Sequence, residues 1–236
     1  LLVFGGMSGA GLFSAQYFGQ KNHNGVRNVF RMKILIGITI IAISISVMIF
    51  LHEPLINMFL HEGSSSGNIQ ETFNYAKNYL YIMVIGIAPF VISNCYNTTL
   101  KESGQTVVPM KAGVLAVVFD IVLNYIFIFG KLGFPAMGVV GAAIATVISR
   151  FVECGYLVIY THIHSNDYPF IKYCYRTLKV PGSLVKKIIV TGAPLMLNEF
   201  LWAGGLTLQT QALSTKGLAT VGGLNICNTI GNISNC

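Results

Sequence analysis

The chain has 236 residues and a formal net charge of +7, and only 10% of its side chains are charged against 53% apolar. A soluble domain carries about 25% charged residues, so eight acids and fifteen bases with a mean hydropathy of +0.65 exclude an ordinary water-facing globule. Five scattered cysteines (Cys95, Cys154, Cys174, Cys227 and Cys236) exclude a disulfide scaffold, which leaves an all-α polytopic membrane protein built as a helical bundle.

A membrane-crossing helix needs about 20 mainly apolar residues. In chain order the qualifying runs are 1–18, 34–51, 79–100, 107–129, 137–160 and 188–213, and another begins near Leu218. The run 34–51 holds no charge at all and is apolar on every side, unlike an amphipathic surface helix. None of the runs alternates as a barrel strand would. The opening at Leu1 without a Met and the ending inside an apolar stretch suggest a segment of a longer chain, hence an incomplete bundle. The loop 63–67, Gly-Ser-Ser-Ser-Gly, reads as a flexible outer tip.

Basic residues orient the spans. Eleven of the fifteen fall in alternate loops: Lys21, Arg27, Arg31 and Lys33; Lys101 and Lys111; Lys172, Arg176, Lys179, Lys186 and Lys187. Only Lys77, Lys131 and Lys216 fall on the other side, and Arg150 lies within a span. Such alternation is the positive-inside pattern, so the basic loops are cytoplasmic. The net charge is therefore a topology signal, and no basic-aromatic pattern points to nucleic acid. The polar stretch from His162 to Ser183 reads as a connector. The expected organisation is an N-terminal bundle over 1–162, a cytoplasmic linker over 163–183, and the start of a second bundle over 184–236.

A charge in the middle of a bilayer costs about 2.5 to 3.5 kcal/mol on insertion scales and so needs a reason. Four residues qualify: Asp120, Arg150, Glu153 and Glu199. Asp120 is nine residues past Lys111, about 13 Å below the cytoplasmic edge by helical rise. Asn124 shares its helix face at i+4, and on the preceding span Asn94 and Asn97 share a face at i+3. Asn94 lies about 10 Å deep, so two antiparallel neighbours are expected to present one carboxylate and three amides to one pocket. Carboxylate and amide oxygens suit a monovalent cation or a proton. The competing reading is polar glue between helices, which has no use for an ionisable group. Arg150 and Glu153, spaced i and i+3, are expected to pair with each other. Glu199 stands five residues past Pro194, near Trp202 and Gly204-Gly205, which suits the wall of a solvated cavity. The histidines have no metal-ligand spacing, no hydrolase triad is present, and the glycines of GGMSGAG have helix-packing rather than phosphate-loop context.

The segments LNYIFIFG (123–130) and GFPAMGVVGAAIATVISR (133–150), with SAQYFGQKN near the start and LKESGQTVVP after the paired asparagines, resemble the multidrug and toxic compound extrusion (MATE) family. The resemblance runs from that family's second span to the start of its eighth. It implies a twelve-span exporter of two six-helix bundles that exchanges drugs or organic cations for sodium or protons. It places Asn94 and Asn97 in the polar pair of the fourth span, Asp120 and Asn124 in the pair of the fifth, and Thr146 as a hydroxyl of the sixth. The family order on the fifth span is Asn then Asp; the reversed order here moves the carboxylate by one helical turn. Glu199 resembles a coupling acid of the seventh span, and Tyr79 a cavity tyrosine.

The expectation is thus a multi-pass protein of the cell's inner membrane that is not an enzyme. It would be a monomeric antiporter with no cofactor and no metal beyond a coupling Na+ or H+, working on a cationic or amphipathic small molecule within the lipid bilayer. Two other classes remain open: a flippase for lipid-linked saccharide precursors, whose anionic cargo wants a basic cavity, and a seven-span receptor without flux. Three intramembrane acids to one base lean towards cationic cargo.

Overall fold

The structure, a computed structural model, describes residues 2–57 and 69–214 together with Gly223 and Cys227. The 63–67 tip lies outside the described residues, as does the span expected from Leu218, apart from those two. The described residues form α1 (Leu2–Gly19), α2 (His23–Phe50), α3 (His52–Asn57), α4 (Ile69–Glu102), α5 (Val107–Phe129), α6 (Gly138–Ile163) and α7 (Gly182–Ser214), with a 3-10 turn at Cys174–Arg176. Among them there is no strand.

Among the described residues four helices are long and apolar enough to cross a membrane: His23–Phe50, Thr72–Glu102, Val107–Phe129 and Gly138–Ile163. The first and sixth of the expected spans, now α1 and α7, are helices of spanning length by rise, about 27 and 50 Å, but fall short in hydropathy. Glycines and polar residues dilute them: five glycines in α1, and Asn198, Glu199, Thr207, Gln209 and Gln211 in α7. The span read as 34–51 starts earlier than its apolar run because Asn22 caps it, accepting the Gly25 N–H at 2.9 Å. Pro89 and Pro194 sit inside continuous helices.

Packing follows small residues. α6 lies against both α4 and α5, and it buries two flanks at once through Gly141, Ala143, Ala145, Val147 and Ser149. On the α5 side, a Cβ at Gly141 would stand 2.7 Å from Phe127 O. On the α4 side, Val147 is 3.1 Å from where Gly86 would carry a Cβ. The turn between α5 and α6 uses Gly130 at φ 64°, whose N–H closes on Ile126 O. α1 packs on α2, α4 and α7. Its antiparallel contact with α7 is a glycine crossing, where a Cβ at Gly9 would fall 2.4 Å from the Gly192 Cα. α5 turns Val114, Val117, Val118, Ile121 and Val122 outwards, an apolar stripe suited to lipid.

The segment between α6 and α7 is packed down against the ends of α2 and α4. Tyr168, Phe170, Ile171 and Cys174 are buried with Phe30 and Tyr96 in one cluster. Phe30 meets both the Tyr96 and Phe170 rings edge-on, at 5.1 and 5.8 Å. Arg27 donates to Pro169 O at 3.1 Å, and Arg31 donates to the Cys174 and Tyr173 carbonyls at 2.9 Å each. These contacts set the basic loops after α1 and α6 at the same end of the molecule, as the charge pattern requires.

Candidate functional site

Asp120 lies thirteen residues into α5, on a helix otherwise apolar at that depth. Its half-buried carboxylate faces α6, where Ser149 Oγ approaches Oδ1 at 3.4 Å while also bonding Ala145 O at 3.0 Å. A crevice of about 120 Å³ opens beside it, lined by Ala116, Val117, Asp120, Thr146, Ser149 and Arg150. Thr146 and Arg150 are shared with a second crevice of about 200 Å³ that runs to Gly86, Ile87 and Phe90 of α4. Arg150 therefore sits between the two. Its guanidinium lies 4.7 Å from the centre of the Phe90 ring, and Nη1 is 3.4 Å from Glu153 Oε2. The pairing of Arg150 with Glu153 read from their spacing is present.

The structure brings together only part of the expected oxygen cluster. Asp120 and Thr146 line one crevice, but Asn94 and Asn97 do not border it. The two helices expected to face each other, α4 and α5, each pack instead along α6, so hydroxyls of α6 stand where amides of α4 were expected. Asn94 Nδ2 donates to Phe90 O of its own helix at 2.8 Å. Asn97 Oδ1 is buried with no hydrogen-bond partner among the described residues. Asn124, one turn on from Asp120, is half-buried on α5.

Glu199 is far from this group, on the α1–α7 contact: a Cβ at Gly5 would be 3.1 Å from its Cγ. The glycine of α1 lets the acid's stem lie flat on that helix. Tyr79 is exposed on α4, fifteen residues before Asn94, about 22 Å away by rise. Ser149 was missed by sequence reasoning, although its position three residues after Thr146 puts both hydroxyls on one face of α6.

A second polar cluster was missed entirely. Lys33, counted among the loop bases, is fully buried within α2, and its Nζ reaches both carboxylate oxygens of Glu102 at 2.6 and 2.7 Å. Thr98 and Thr99 Oγ1 accept from the same ammonium at 3.0 and 3.2 Å. Gly11 of α1 closes the group: a Cβ there would lie 2.4 Å from Glu102 Oε1. Among the described residues no group of three or more His, Cys, Asp or Glu side chains is placed to hold a metal ion.

Fold and site together define a multi-pass helical membrane protein with an acid-bearing crevice between spans. The chain belongs to the MatE family, whose model matches residues 1–126. It is 30% identical to the probable multidrug resistance protein NorM of Thermotoga maritima over 218 residues, 92% of this chain and 45% of that protein. It is 29% identical to the protein of the same description from Halalkalibacterium halodurans, over 93% of this chain and 47% of that one. The chain thus spans about half the length of the relatives it matches. Two solved structures share the fold at 24% identity: one titled as the inward-facing conformation of a multidrug resistance MATE family transporter, with TM-score 0.72 over 93% of this chain and 47% of that one, and one as the outward-facing conformation, with TM-score 0.71 over 99% and 48%. The family is one of integral membrane transporters, not of enzymes.

Proposed function

We propose that this chain serves a cation-coupled antiporter that exports drugs or organic cations by alternating access, with Na+ or H+ as the coupling ion. The observation that carries the reading is Asp120, a carboxylate held on an apolar span beside Ser149 and Thr146 and open to a crevice. An ionised acid in that setting is stabilised when a cation or proton joins it, and the stabilisation differs between states that open the crevice to opposite sides. Such differential affinity is what shifts the balance between inward-open and outward-open forms. The names of the relatives and the two conformations known for this fold support the same reading.

Asn124, Asn94 and Asn97 would line the ion's route from other faces of the bundle, and Thr146 would coordinate beside Asp120. Glu199, with Tyr79 further along the cavity wall, would draw cationic cargo. Residues 1–162 would act as one bundle, 163–183 as its cytoplasmic connection and 184–236 as the opening of the second. The working unit would be a monomer in the cell's inner membrane.

The test is Asp120→Asn in proteoliposomes of the protein carrying this sequence, with an imposed sodium or proton gradient and ethidium as cargo. Gradient-driven flux should fall at least tenfold while protein yield and melting temperature hold. Unchanged flux would remove Asp120 from coupling. Flux of a lipid-linked saccharide in place of ethidium would identify a flippase, and ligand binding without flux a receptor.

A further inference from the structure

Arg150 is the one cation lining the Asp120 crevice among the described residues, and it also lines the crevice on the α4 side. Its present partners are Glu153 Oε2 at 3.4 Å and the Phe90 ring face at 4.7 Å. Neither holds it strongly. The ion pair is longer than an ideal charge-assisted bond of about 2.8 Å, and the ring leaves the guanidinium's N–H edge free to turn. The arginine side chain is 42% exposed, whereas Glu153 is 12% exposed. The long side chain therefore has room to move, and the acid is the fixed end of the pair.

We infer that Arg150 is a tethered counter-ion that alternates between Glu153 and Asp120 and so competes with the coupling cation for the Asp120 carboxylate. This rests on the reading of Asp120 given above. With a Na+ or a proton on Asp120, the guanidinium lies back on Phe90 and Glu153. When the ion leaves, the guanidinium swings into the crevice and neutralises Asp120, so the carboxylate is never left bare in the apolar layer. The protein's own cation then replaces the leaving ion and speeds its release. Glu153 and Phe90 act at one remove, as positioning residues that hold the arginine away from the site.

Competition makes opposite signs diagnostic. Arg150→Gln removes the competitor, so half-saturation of ethidium efflux should fall about tenfold, with a lower maximal rate as release slows. Glu153→Gln and Phe90→Leu free the arginine towards Asp120 and should raise half-saturation several-fold. Glu153 acts only through the arginine, so the double variant Arg150→Gln, Glu153→Gln should match Arg150→Gln alone. Sodium is titrated at constant pH, and protons at constant sodium, to identify the ion that responds. Among the described residues the charged groups facing Asp120 in the crevice are Arg150, with Glu153 behind it, so no other described lining charge enters either titration. Shifts of the same sign in Arg150→Gln and Glu153→Gln, or none in either, overturn the inference. Should Arg150→Gln fail to fold, Phe90→Leu decides alone: a raised half-saturation supports competition, and an unchanged one overturns it. If Asp120→Asn also leaves flux unchanged, the coupling reading itself has failed; if Asp120→Asn abolishes flux and these shifts are absent, only the counter-ion role has.

Discussion

Lys33 of α2 and Glu102 of α4 form a buried ion pair at 2.6 Å, with the ammonium fully enclosed and two threonine hydroxyls also within hydrogen-bond distance of it, at 3.0 and 3.2 Å. Burying two charges is offset only by short bonds and complete hydrogen bonding, and both are present here. The pair ties α2 to α4 at the basic end of the molecule, and the Gly11 backbone pressed against Glu102 adds α1 to the same knot.

Removing one partner leaves the other buried without its counter-charge. Lys33→Met should cost about 3 to 5 kcal/mol, read as a large drop in melting temperature in detergent. Lys33→Met with Glu102→Leu replaces the pair by apolar volume and should recover most of that loss. Gly11→Ala pushes a methyl into Glu102 Oε1, the movable end of that side chain, so it should cost less than Lys33→Met, only as much as the carboxylate's shift weakens its bonds to Lys33. A double variant no more stable than Lys33→Met would refute this account of the knot.

The crossing of α1 and α7 makes an asymmetric prediction. A methyl at Gly9 points into the Gly192 backbone at 2.4 Å, but a methyl at Gly192 would reach only ordinary contact, 3.5 Å from the Gly9 Cα. Gly9→Ala should therefore force the helices apart, costing about 1 to 3 kcal/mol. Gly192→Ala should be neutral or slightly stabilising, since alanine favours the helix by about 1 kcal/mol. Melting temperatures of the two variants check this directly, and equal losses would refute it.

The sequence discloses spans better than neighbours. Apolar runs locate α2, α4, α5 and α6 because each helix must cover its own length of bilayer. Asp120 is legible for a related reason, because an acid inside an apolar run stands out against its surroundings, whereas Thr146, on α6 itself, is singled out only by the family resemblance. Which helix packs on which is decided by glycines and alanines meeting across long gaps, as at Gly86 and Val147, and no local pattern shows it. That is why α4 was expected opposite Asp120 where α6 stands. Lys33 and Glu102 are 69 residues apart, and each sits next to other charges, so both look like loop residues. The stretch after α6 reads as a connector by its prolines and lysines, although its run Tyr168, Phe170, Ile171 and Cys174 carries enough apolar surface to dock.

That docking gives a chemical handle at Cys174, which lies in the 3-10 turn outside the spans and is fully buried. Burial pushes its thiol from the ordinary 9.0 up to about 11, with the nearby Arg31 guanidinium opposing the rise. The folded protein holds this proton more tightly than the unfolded chain does. The resulting stabilisation is whole below the ordinary thiol value of 9.0 and is lost as pH climbs towards the folded value of about 11. Because the thiolate is the nucleophile, iodoacetamide should modify Cys174 slowly at neutral pH, as followed by mass spectrometry of the peptide that contains it. Arg31→Gln removes the donors to the Tyr173 and Cys174 carbonyls, so the turn should lift from α2 and the thiol meet water. Although that variant also removes a positive charge that favours the thiolate, exposure should win, and labelling at pH 7.5 should rise at least tenfold. If labelling is unchanged, the arginine is not what holds the turn down, and the aromatic packing of Phe30 with Phe170 is left to do so.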